Sequence, residues 1–518
     1  MVDASALHPD PVQIFRLWQI YLDNVDPLLK VTHTHSLQPR IIEAASNVAN
    51  TPRTMQALMF SIYCIGIRSI TAEECRSVFG SSKDQLLIEY QFGCRQALWA
   101  SKFLQSDNRD CLTALFLYLL SLGRSTTPPS LHSMLGVAVR TAQRMGMHSE
   151  TMLAKHTILE AEMRRRLWWA IVLFDTRISE LASSNIVTLD PTWDCRRPLN
   201  VNNSELRAEM KTPLSMRGGS SEALFIAVRS EVADFIRHSD FHLDYTNPAL
   251  KLISKHTQRE VIAPNHDLNK LEEMLEEKYF QFCDLENPLH FTTIWTMRAY
   301  LAKYRLLEHH ARQSDLPAHR TDAQREIATS YALKVLECDT KIMTSPPTRG
   351  LRWLNMFHFP FPAYIQLLQG LARRPIDETA CQAWEAISAN YEGWFSADGD
   401  FDSPVYRMFS KFVLEAWEAC EAASGQLKSA LTPPQIVSFI RGALARAEQD
   451  VADKDNDMAK IGTGIHNRSI SAPVSTKSTS QGISGTTELQ CDLPTMGAEV
   501  FFGNPGQHVL ATELNQLD

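Results

Sequence analysis

Two histidine pairs are the residues of this chain whose type and spacing come nearest to a metal site. His33 and His35 are separated by one residue, and His309 and His310 are adjacent. Imidazole nitrogens bind transition metals, but a site also needs further cysteine, histidine or carboxylate ligands at short spacing. Neither pair has acids or cysteines at ligand spacing. The sequence therefore favours surface or hydrogen-bonded histidines over metal ligands.

The cysteines are scattered along the chain and form no zinc-binding pattern. Zinc sites use thiolates about two to four residues apart within each pair, whereas the nearest two here are Cys64 and Cys75. Scattered cysteines without a paired framework are typical of buried thiols in a reducing compartment. We therefore predict no cofactor and no metal in this chain.

An all-helical chain of this size could also be an enzyme, and the terpene synthases are the enzyme class to test against the sequence. Such enzymes hold magnesium with an aspartate-rich run and a second motif that ends in glutamate. The chain contains no adjacent aspartates; Asn200 and Ser204 have the spacing of the second motif, but Ala208 stands where the carboxylate is needed. HExxH, GxSxG and a phosphate-binding glycine loop are also missing. The sequence therefore predicts that the chain is not an enzyme.

Three consecutive arginines, 164–166, raise the possibility of DNA contact or nuclear import. Glu160 and Glu162 stand one helical turn before Arg164 and Arg166, which is the favourable order for ion pairs. A single short cluster is weak support for a nucleic-acid site, and the net charge of the chain is −8. We therefore predict paired arginines rather than a DNA-binding patch.

These arginines belong to the most distinctive predicted helix, residues 157–183. Thr157 and Glu160 have capping-box spacing, and apolar residues recur every three or four positions after them. The adjacent Trp168 and Trp169 widen the apolar stripe, and adjacent side chains point about 100° apart. One tryptophan should therefore face the core and the other a neighbouring helix, in a helix that is buried on most of its circumference.

The remaining periodicity predicts an all-α fold with an irregular stretch near its middle. Apolar residues from Ile14 onward follow helical spacing up to Pro27, and no segment alternates with period two. Turn-forming residues predict an irregular excursion over 185–221. Further helices are predicted at about 54–69, 83–104, 108–122, 129–145, 222–238, 268–285, 290–313, 322–343, 351–371, 378–390, 405–422 and 433–449.

The carboxyl-terminal end has a different composition. Residues 451–487 are rich in serine, threonine and glycine, which predicts a disordered linker. Residues 488–518 combine acids with scattered large apolar side chains, a pattern that suggests an activation segment for coactivators. The amino terminus resembles no signal peptide, and the longest apolar run, Cys111 to Gly123, is shorter than the about 20 residues that cross a bilayer. No membrane association is predicted.

Several motifs resemble the fungal-specific transcription factor domain, the middle region of zinc binuclear-cluster regulators. RRLWWAIVLFD is similar to the central signature of that family, and its matching residues are Arg165, Arg166, Leu167, Trp168, Trp169 and Asp175. MLGVAVRTAQRMGMH, IFRLWQIYLDNVDPLLKV and FHFPFPAYIQLLQGLARRP resemble flanking parts of the domain. The resemblance implies a large all-α regulatory domain over 8–425 in a nuclear protein that controls transcription. The periodicity adds a carboxyl-terminal helix at 426–450.

The chain departs from the family at the DNA-binding region. The family's reader holds two zinc ions with six closely spaced cysteines, which are absent from this chain. We therefore expect zinc only in a missing amino-terminal cluster, and DNA contact either through that cluster or indirectly. A homodimer or heterodimer is one possibility, and a modulator of another transcription factor, without its own reader, is the alternative hypothesis. Control of a biosynthetic gene cluster is suggested by analogy with family members.

Overall fold

The computed structural model describes residues 3–123, 126–181, 193–210, 212, 214, 218–239, 267–314, 321–376, 378–395, 404–427 and 432–446. Most of the residues in these ranges are helical and none lies in a β-strand, which confirms the predicted all-α fold. The α-helices are α1 (Pro11–Ile20), α2 (Asp26–Leu29), α3 (Thr34–Ser46), α4 (Arg53–Ser69), α5 (Ala72–Phe79), α6 (Lys83–Ala100), α7 (Arg109–Leu122), α8 (Pro128–Arg144), α9 (Glu150–Leu153), α10 (Ile158–Leu181), α11 (Leu224–Arg237), α12 (Leu268–Lys278), α13 (Pro288–Ser314), α14 (Asp322–Thr344), α15 (Phe361–Arg373), α16 (Glu378–Phe395), α17 (Pro404–Leu427) and α18 (435–446).

The first hydrophobic core is built around α4 and α7. Every residue of α7 from Cys111 to Leu122 is buried, as its almost entirely apolar sequence predicts. The helix begins where the Asn108 side chain accepts a hydrogen bond from the backbone N–H of Cys111 at 3.2 Å, and it ends at Gly123, whose φ is 43°. The α4 helix packs against α6 and α7, so these three helices form the centre of the first half.

Two further cores lie in the second half of the chain. Apolar side chains of α11, α12 and α13 form one of them, around Val232, Leu271 and Met297. The other is formed by α13 to α18, with Tyr364 and Trp417 among its buried aromatic residues. Because α13 contributes to both cores, it connects them.

A late segment of the chain returns to complete the first core. Residues Pro346–Phe357 form 3₁₀-helical turns whose apolar side chains join the core of the first half. The Trp353 indole Nε1 donates to the backbone carbonyl of Asn24 at 2.8 Å, and the rings of Phe357 and Phe174 are 5.1 Å apart. The first core is therefore built from the amino-terminal helices together with a segment that follows them by more than 150 residues.

The single helix predicted over 351–371 is wrong. The chain instead forms 3₁₀ turns up to Phe357 and starts α15 at Phe361. Pro360 and Pro362 cause this break, because proline lacks a backbone N–H and disfavours helical geometry in the residue before it.

Three other predicted boundaries also need correction. The helix predicted over 268–285 ends at Lys278 and is followed by a 3₁₀ turn, Phe280–Phe282. The helix predicted over 83–104 ends at Ala100, before Lys102 with its positive φ of 52°. Pro27 does not end the first helical region: a π-helical turn, Tyr21–Val25, leads into α2, where proline occupies the first turn and no N–H bond is lost.

The predicted irregular excursion is confirmed where the structure describes it. Within 193–210 the chain forms one short 3₁₀ turn, Asn203–Glu205, and otherwise runs without helix. The predicted linker, 451–487, and the predicted tail, 488–518, lie outside the described residues. Among the described helices, none combines the length and the apolar character that a bilayer crossing requires.

Candidate functional site: the α10 signature helix

The RRLWWAIVLFD sequence lies in the middle of α10, which is buried on most sides. The helix packs against α7, α8 and α11, and its residues from Leu167 to Asp175 are all buried. The backbone N–H of Glu160 donates to Thr157 Oγ1 at 3.3 Å, which forms one half of the predicted capping box. The Glu160 side chain does not complete the capping box but forms ion pairs with Arg164 and Arg109. The sequence was therefore right about the burial of this helix and partly right about how it begins.

The three consecutive arginines all contact carboxylates. Arg164 Nε lies 2.7 Å from Glu160, and Arg166 Nε lies 3.0 Å from Glu162, so both predicted ion pairs are confirmed. Arg165 pairs with Glu162 at 2.7 Å and with Glu150 of α9 at 3.0 Å. The charges of these three arginines are therefore neutralised by carboxylates within the fold, and the cluster presents no unpaired basic side chain to DNA.

Glu162 and Arg166 form the centre of a buried polar network. Both residues are fully buried, and the backbone N–H of Leu199 donates to the Glu162 carboxylate at 2.9 Å. Arg166 Nη1 donates to the side-chain oxygen of Asn203 at 3.0 Å. Around Arg165, burial by itself lowers the pKa of the guanidinium, but Glu162 and Glu150 outweigh it and raise that pKa. The network joins α10 to the irregular segment 193–206.

One histidine of each pair named in the sequence takes part in a hydrogen bond to a backbone carbonyl. His33 Nε2 donates to the backbone carbonyl of Asn203 at 3.1 Å, and burial lowers the pKa of this imidazole. His309 Nε2 donates to the carbonyl of Gln324 at 2.9 Å. In the ranges that the structure describes, no group of three or more histidine, cysteine, aspartate or glutamate side chains is gathered as metal ligands would be.

The two adjacent tryptophans share a partner that the sequence did not reveal. Trp168 and Trp169 are both fully buried, and their rings lie 5.5 and 5.0 Å from the ring of Trp193 in edge-to-face contact. Trp169 Nε1 also donates to the backbone carbonyl of Arg196 at 2.7 Å. Trp169 also faces α11, where the Arg237 guanidinium lies 5.9 Å from its ring, which agrees with the prediction that one ring faces a neighbouring helix. The contact of both rings with the irregular segment was not predicted. The sequence feature that could have indicated this contact is Trp193, a single tryptophan in a polar stretch.

Asp175, the last residue of the signature, is fully buried. Its carboxylate lies 3.9 Å from His132 Nε2, and that nitrogen is 3.1 Å from the hydroxyl of Ser179. These contacts join α10 to α8. Together with the arginine network, they make the signature a set of residues that positions neighbouring elements.

Comparison with known proteins agrees with the sequence motifs. The family described as "Fungal specific transcription factor domain" matches residues 18–202. The chain is 52% identical over 443 residues to "Transcriptional regulator AacuB" of Aspergillus aculeatus, an alignment that covers 85% of this chain and 60% of the relative. It is 47% identical over 448 residues to "Transcriptional regulator nsrM" of Aspergillus novofumigatus, which covers 86% of this chain and 61% of the relative.

A third relative is more distant in sequence and has a more specific name. "Aurofusarin cluster transcription factor aurR2" of Gibberella zeae is 31% identical over 454 residues, which covers 86% of this chain and 66% of the relative. The chain thus spans between 60% and 66% of the length of these three regulators. The matched residues, 18–202, contain the whole of RRLWWAIVLFD and the first part of the segment 193–206 that α10 holds, so this part of the chain is similar to the fungal specific transcription factor domain.

Proposed function

We propose that this chain is the helical regulatory part of a fungal transcription regulator that controls the genes of a biosynthetic cluster. The observation that carries the proposal is the 52% identity over 443 residues to a protein named as a transcriptional regulator. The name of the Gibberella zeae relative, an aurofusarin cluster transcription factor, supports the narrower assignment to a gene cluster. A regulator of this kind acts in the nucleus and catalyses no reaction.

The proposed contact with DNA does not use the arginines of α10. Arg164, Arg165 and Arg166 each have a carboxylate within 3.0 Å, so they offer little charge to phosphate groups. DNA is instead reached through a zinc-cluster reader outside these 518 residues or through a partner transcription factor, in a homodimer or a heterodimer. The signature residues have a structural role, which is to hold 193–206 against α10.

Disruption of the gene in its source organism, followed by transcript profiling, tests this proposal. We expect a coordinated fall in the transcripts of one contiguous group of biosynthetic genes. Complementation with the wild-type gene should restore these transcripts, and so should a Trp99→Ala allele, because Trp99 is 58% exposed and lies outside the cores. An unchanged transcript profile after disruption would rule against the proposal.

Chromatin immunoprecipitation distinguishes the two ways of reaching DNA. If a reader is part of the same polypeptide, the tagged regulator should occupy the promoters of the affected genes without any partner. If the chain modulates another factor, its occupancy should disappear when that factor is deleted.

A further inference from the structure

A small cavity lies where α10, α11 and α13 meet the turn that precedes α15. Its volume is about 70 Å³, and a second cavity of about 50 Å³ adjoins it. The two cavities share Arg177, Tyr300, Lys303 and His358 in their walls. On the α10 and α11 side the wall is apolar and includes Val172, Val232 and Ile236. The first cavity therefore combines an apolar wall with a strongly polar one.

Positive charge dominates the polar wall. Four cationic side chains and one carboxylate line the first cavity: Arg177, Arg229, Arg237, Lys303 and Glu180. Glu180 lies 2.5 Å from Arg177 Nη1 and 3.1 Å from Lys303 Nζ. Burial by itself raises the pKa of Glu180, but these two cations outweigh it and lower that pKa to about 2. The carboxylate is thus fully ionised and already shared between two partners.

Arg237 and Arg229 differ in how they are neutralised. Arg237 has a carboxylate partner outside the cavity, Asp234, at 2.7 Å. Arg229 has only about 7% of its surface exposed, and among the described residues no aspartate or glutamate lies within ion-pair distance of it. Natural proteins rarely bury an arginine without a counter-charge, because desolvation strongly disfavours an unpaired ion.

The polar neighbours of Arg229 are neutral groups. Its Nη2 donates to His358 Nε2 at 3.0 Å, and the hydroxyl of Tyr300 is another hydrogen-bonding neighbour. Burial lowers the pKa of His358, and the charges of Arg229, Arg177 and Lys303 lower it further, so the imidazole is neutral. An imidazole that accepts at Nε2 carries its proton on Nδ1. The buried Nε of Arg229 has no hydrogen-bond partner at all among the described residues.

We propose that this cavity binds a small oxyanion, the carboxylate or phosphate group of a small molecule, with Arg229 as its principal ligand. Arginine presents donors in a planar fork that fits both kinds of group, and Lys303 and Tyr300 stand in the same wall. The volume agrees with this size, since a water molecule takes about 30 Å³ in the liquid and benzene fits a cavity of about 150 Å³. On this scale the first cavity alone holds about two or three heavy atoms, and together with the adjoining cavity it holds about four or five, the size of a carboxylate or phosphate group.

Because of the position of the cavity, a bound group would also affect the stability of the fold. Its walls come from α10 of the first core, α11 and α13 of the second, and His358, next to the segment that completes the first core. An oxyanion there stabilises the junction of these elements, because any ligand that binds only the folded state stabilises that state. This inference does not depend on which genes the protein regulates.

Isothermal titration of the full chain with three separate probes tests the proposal. The probes are acetate, malonate and inorganic phosphate, each at constant ionic strength adjusted with sodium chloride. The variants are Arg229→Met and, as a matched control, Arg140→Met, because Arg140 is exposed on α8. We expect at least one of the three probes to bind the wild type saturably, with one molecule per chain. The affinity for that probe should be at least about tenfold weaker in Arg229→Met and unchanged in Arg140→Met. Acetate or malonate binding would identify a carboxylate site, and phosphate binding a phosphate site.

The stability of the same variants checks that a loss of binding is not a loss of folding. Without an oxyanion, Arg229→Met should unfold at the same temperature as the wild type or higher, because it removes an uncompensated buried charge. Should Arg229→Met fail to fold, Arg229→Lys replaces it; this variant keeps the charge and loses the fork, so its binding should be weakened to a smaller extent. Failure of all three probes to bind saturably, or equal binding by wild type and the Arg229 variant, would overturn the proposal.

Discussion

The carboxylate of Glu162 and the guanidinium of Arg166 lie 3.0 Å apart, and both residues are fully buried. Two charges leave water on folding, and their attraction offsets this only when the remaining hydrogen-bonding atoms are also used. Here Leu199 and Arg165 add donors to Glu162, and Asn203 accepts from Arg166 Nη1, while Arg166 Nη2 has no hydrogen-bond partner among the described residues. The pair therefore ties the ordering of 193–206 to the ordering of α10.

Removal of one partner should be strongly destabilising. Arg166→Met leaves the Glu162 carboxylate buried with less compensation, and we expect a loss of about 3–5 kcal/mol in the free energy of unfolding. Urea denaturation measures this. Lys334→Met is the control, because Lys334 and its partner Glu337 are about half exposed, and it should cost less than about 1 kcal/mol. Equal losses in the two variants would contradict a special role for the buried pair.

The tryptophans of α10 should be equally sensitive to truncation. We expect Trp168→Ala and Trp169→Ala each to lower the free energy of unfolding by about 3–5 kcal/mol, since each leaves a large cavity in a fully packed site. Trp99→Ala, at a position that is 58% exposed, should have a much smaller effect. Thermal unfolding of the three variants decides this. Unchanged midpoints at 168 and 169 would point to a role in ligand binding instead.

Helical periodicity predicted most of the fold, because most helices here bury a wide apolar stripe. The predictions failed where local rules override periodicity. Pro360 and Pro362 divide a continuous apolar pattern into 3₁₀ turns and α15. The polar helix α3 was missed, and so was α5, although Thr71 and Glu74 form a complete capping box there and Gly80 ends the helix.

Local spacing was enough to predict part of the candidate site. The pairs Glu160–Arg164 and Glu162–Arg166 follow from one-turn spacing on a helix. Arg165, Trp169 and Arg166 have partners elsewhere in the chain. These partners, Glu150, Trp193 and Asn203, come from segments without periodic pattern, and only the folded chain brings them to α10. The cationic cavity was missed for the same reason, because Arg177, Arg229 and Lys303 lie on three different helices.

Asp339 should make stability depend on pH in an unusual direction. Burial raises the pKa of this carboxyl to about 6 from 3.8, despite hydrogen bonds from Asn390 and Trp394. The folded state therefore holds the proton more tightly than the unfolded state. This group favours folding below its unfolded pKa, and that contribution is lost as the pH rises through about 6.

Asp339→Asn removes this dependence. The amide oxygen can still accept the bonds that Asn390 Nδ2 and Trp394 Nε1 donate at 2.8 and 2.6 Å. Relative to the wild type, the variant should gain roughly 2–3 kcal/mol in the free energy of unfolding between pH 4 and pH 7.5. Urea titrations at both pH values measure the difference, with the exposed Asp322→Asn as the control. Parallel pH profiles for wild type and Asp339→Asn would show that Asp339 has an ordinary pKa.

The tail from residue 488 to 518 is predicted to act as a transferable activation segment. Acids interspersed with apolar residues are expected to keep the apolar side chains of such a segment accessible to a coactivator surface. Fusion of these residues to an unrelated DNA-binding module should activate a reporter gene. Replacing Phe501 and Phe502 with serine in the fusion should reduce that signal, and a fusion no more active than the module alone would count against the idea.

The purified chain should carry no stoichiometric zinc and should bind duplex DNA weakly, without sequence preference. The described cysteines are free and dispersed, whereas a binuclear cluster needs closely spaced thiolates. Each phosphate contact adds about one unit of salt dependence and needs a free cation, and Arg164–Arg166 are already paired. Elemental analysis and DNA titrations at two salt concentrations measure both properties. Stoichiometric zinc, or tight sequence-selective binding at physiological salt, would contradict this prediction.

The return of residues 346–357 to the first core determines how this protein can be shortened. The match to the family ends at residue 202, yet Leu351, Trp353, Leu354 and Phe357 fill the core that the matched helices form. A fragment cut at that boundary would expose the apolar faces of α4, α7 and α10 to solvent and should aggregate on expression. Recombinant fragments therefore need to extend beyond residue 357, and a mutation in this short segment should impair the helices of the amino-terminal half.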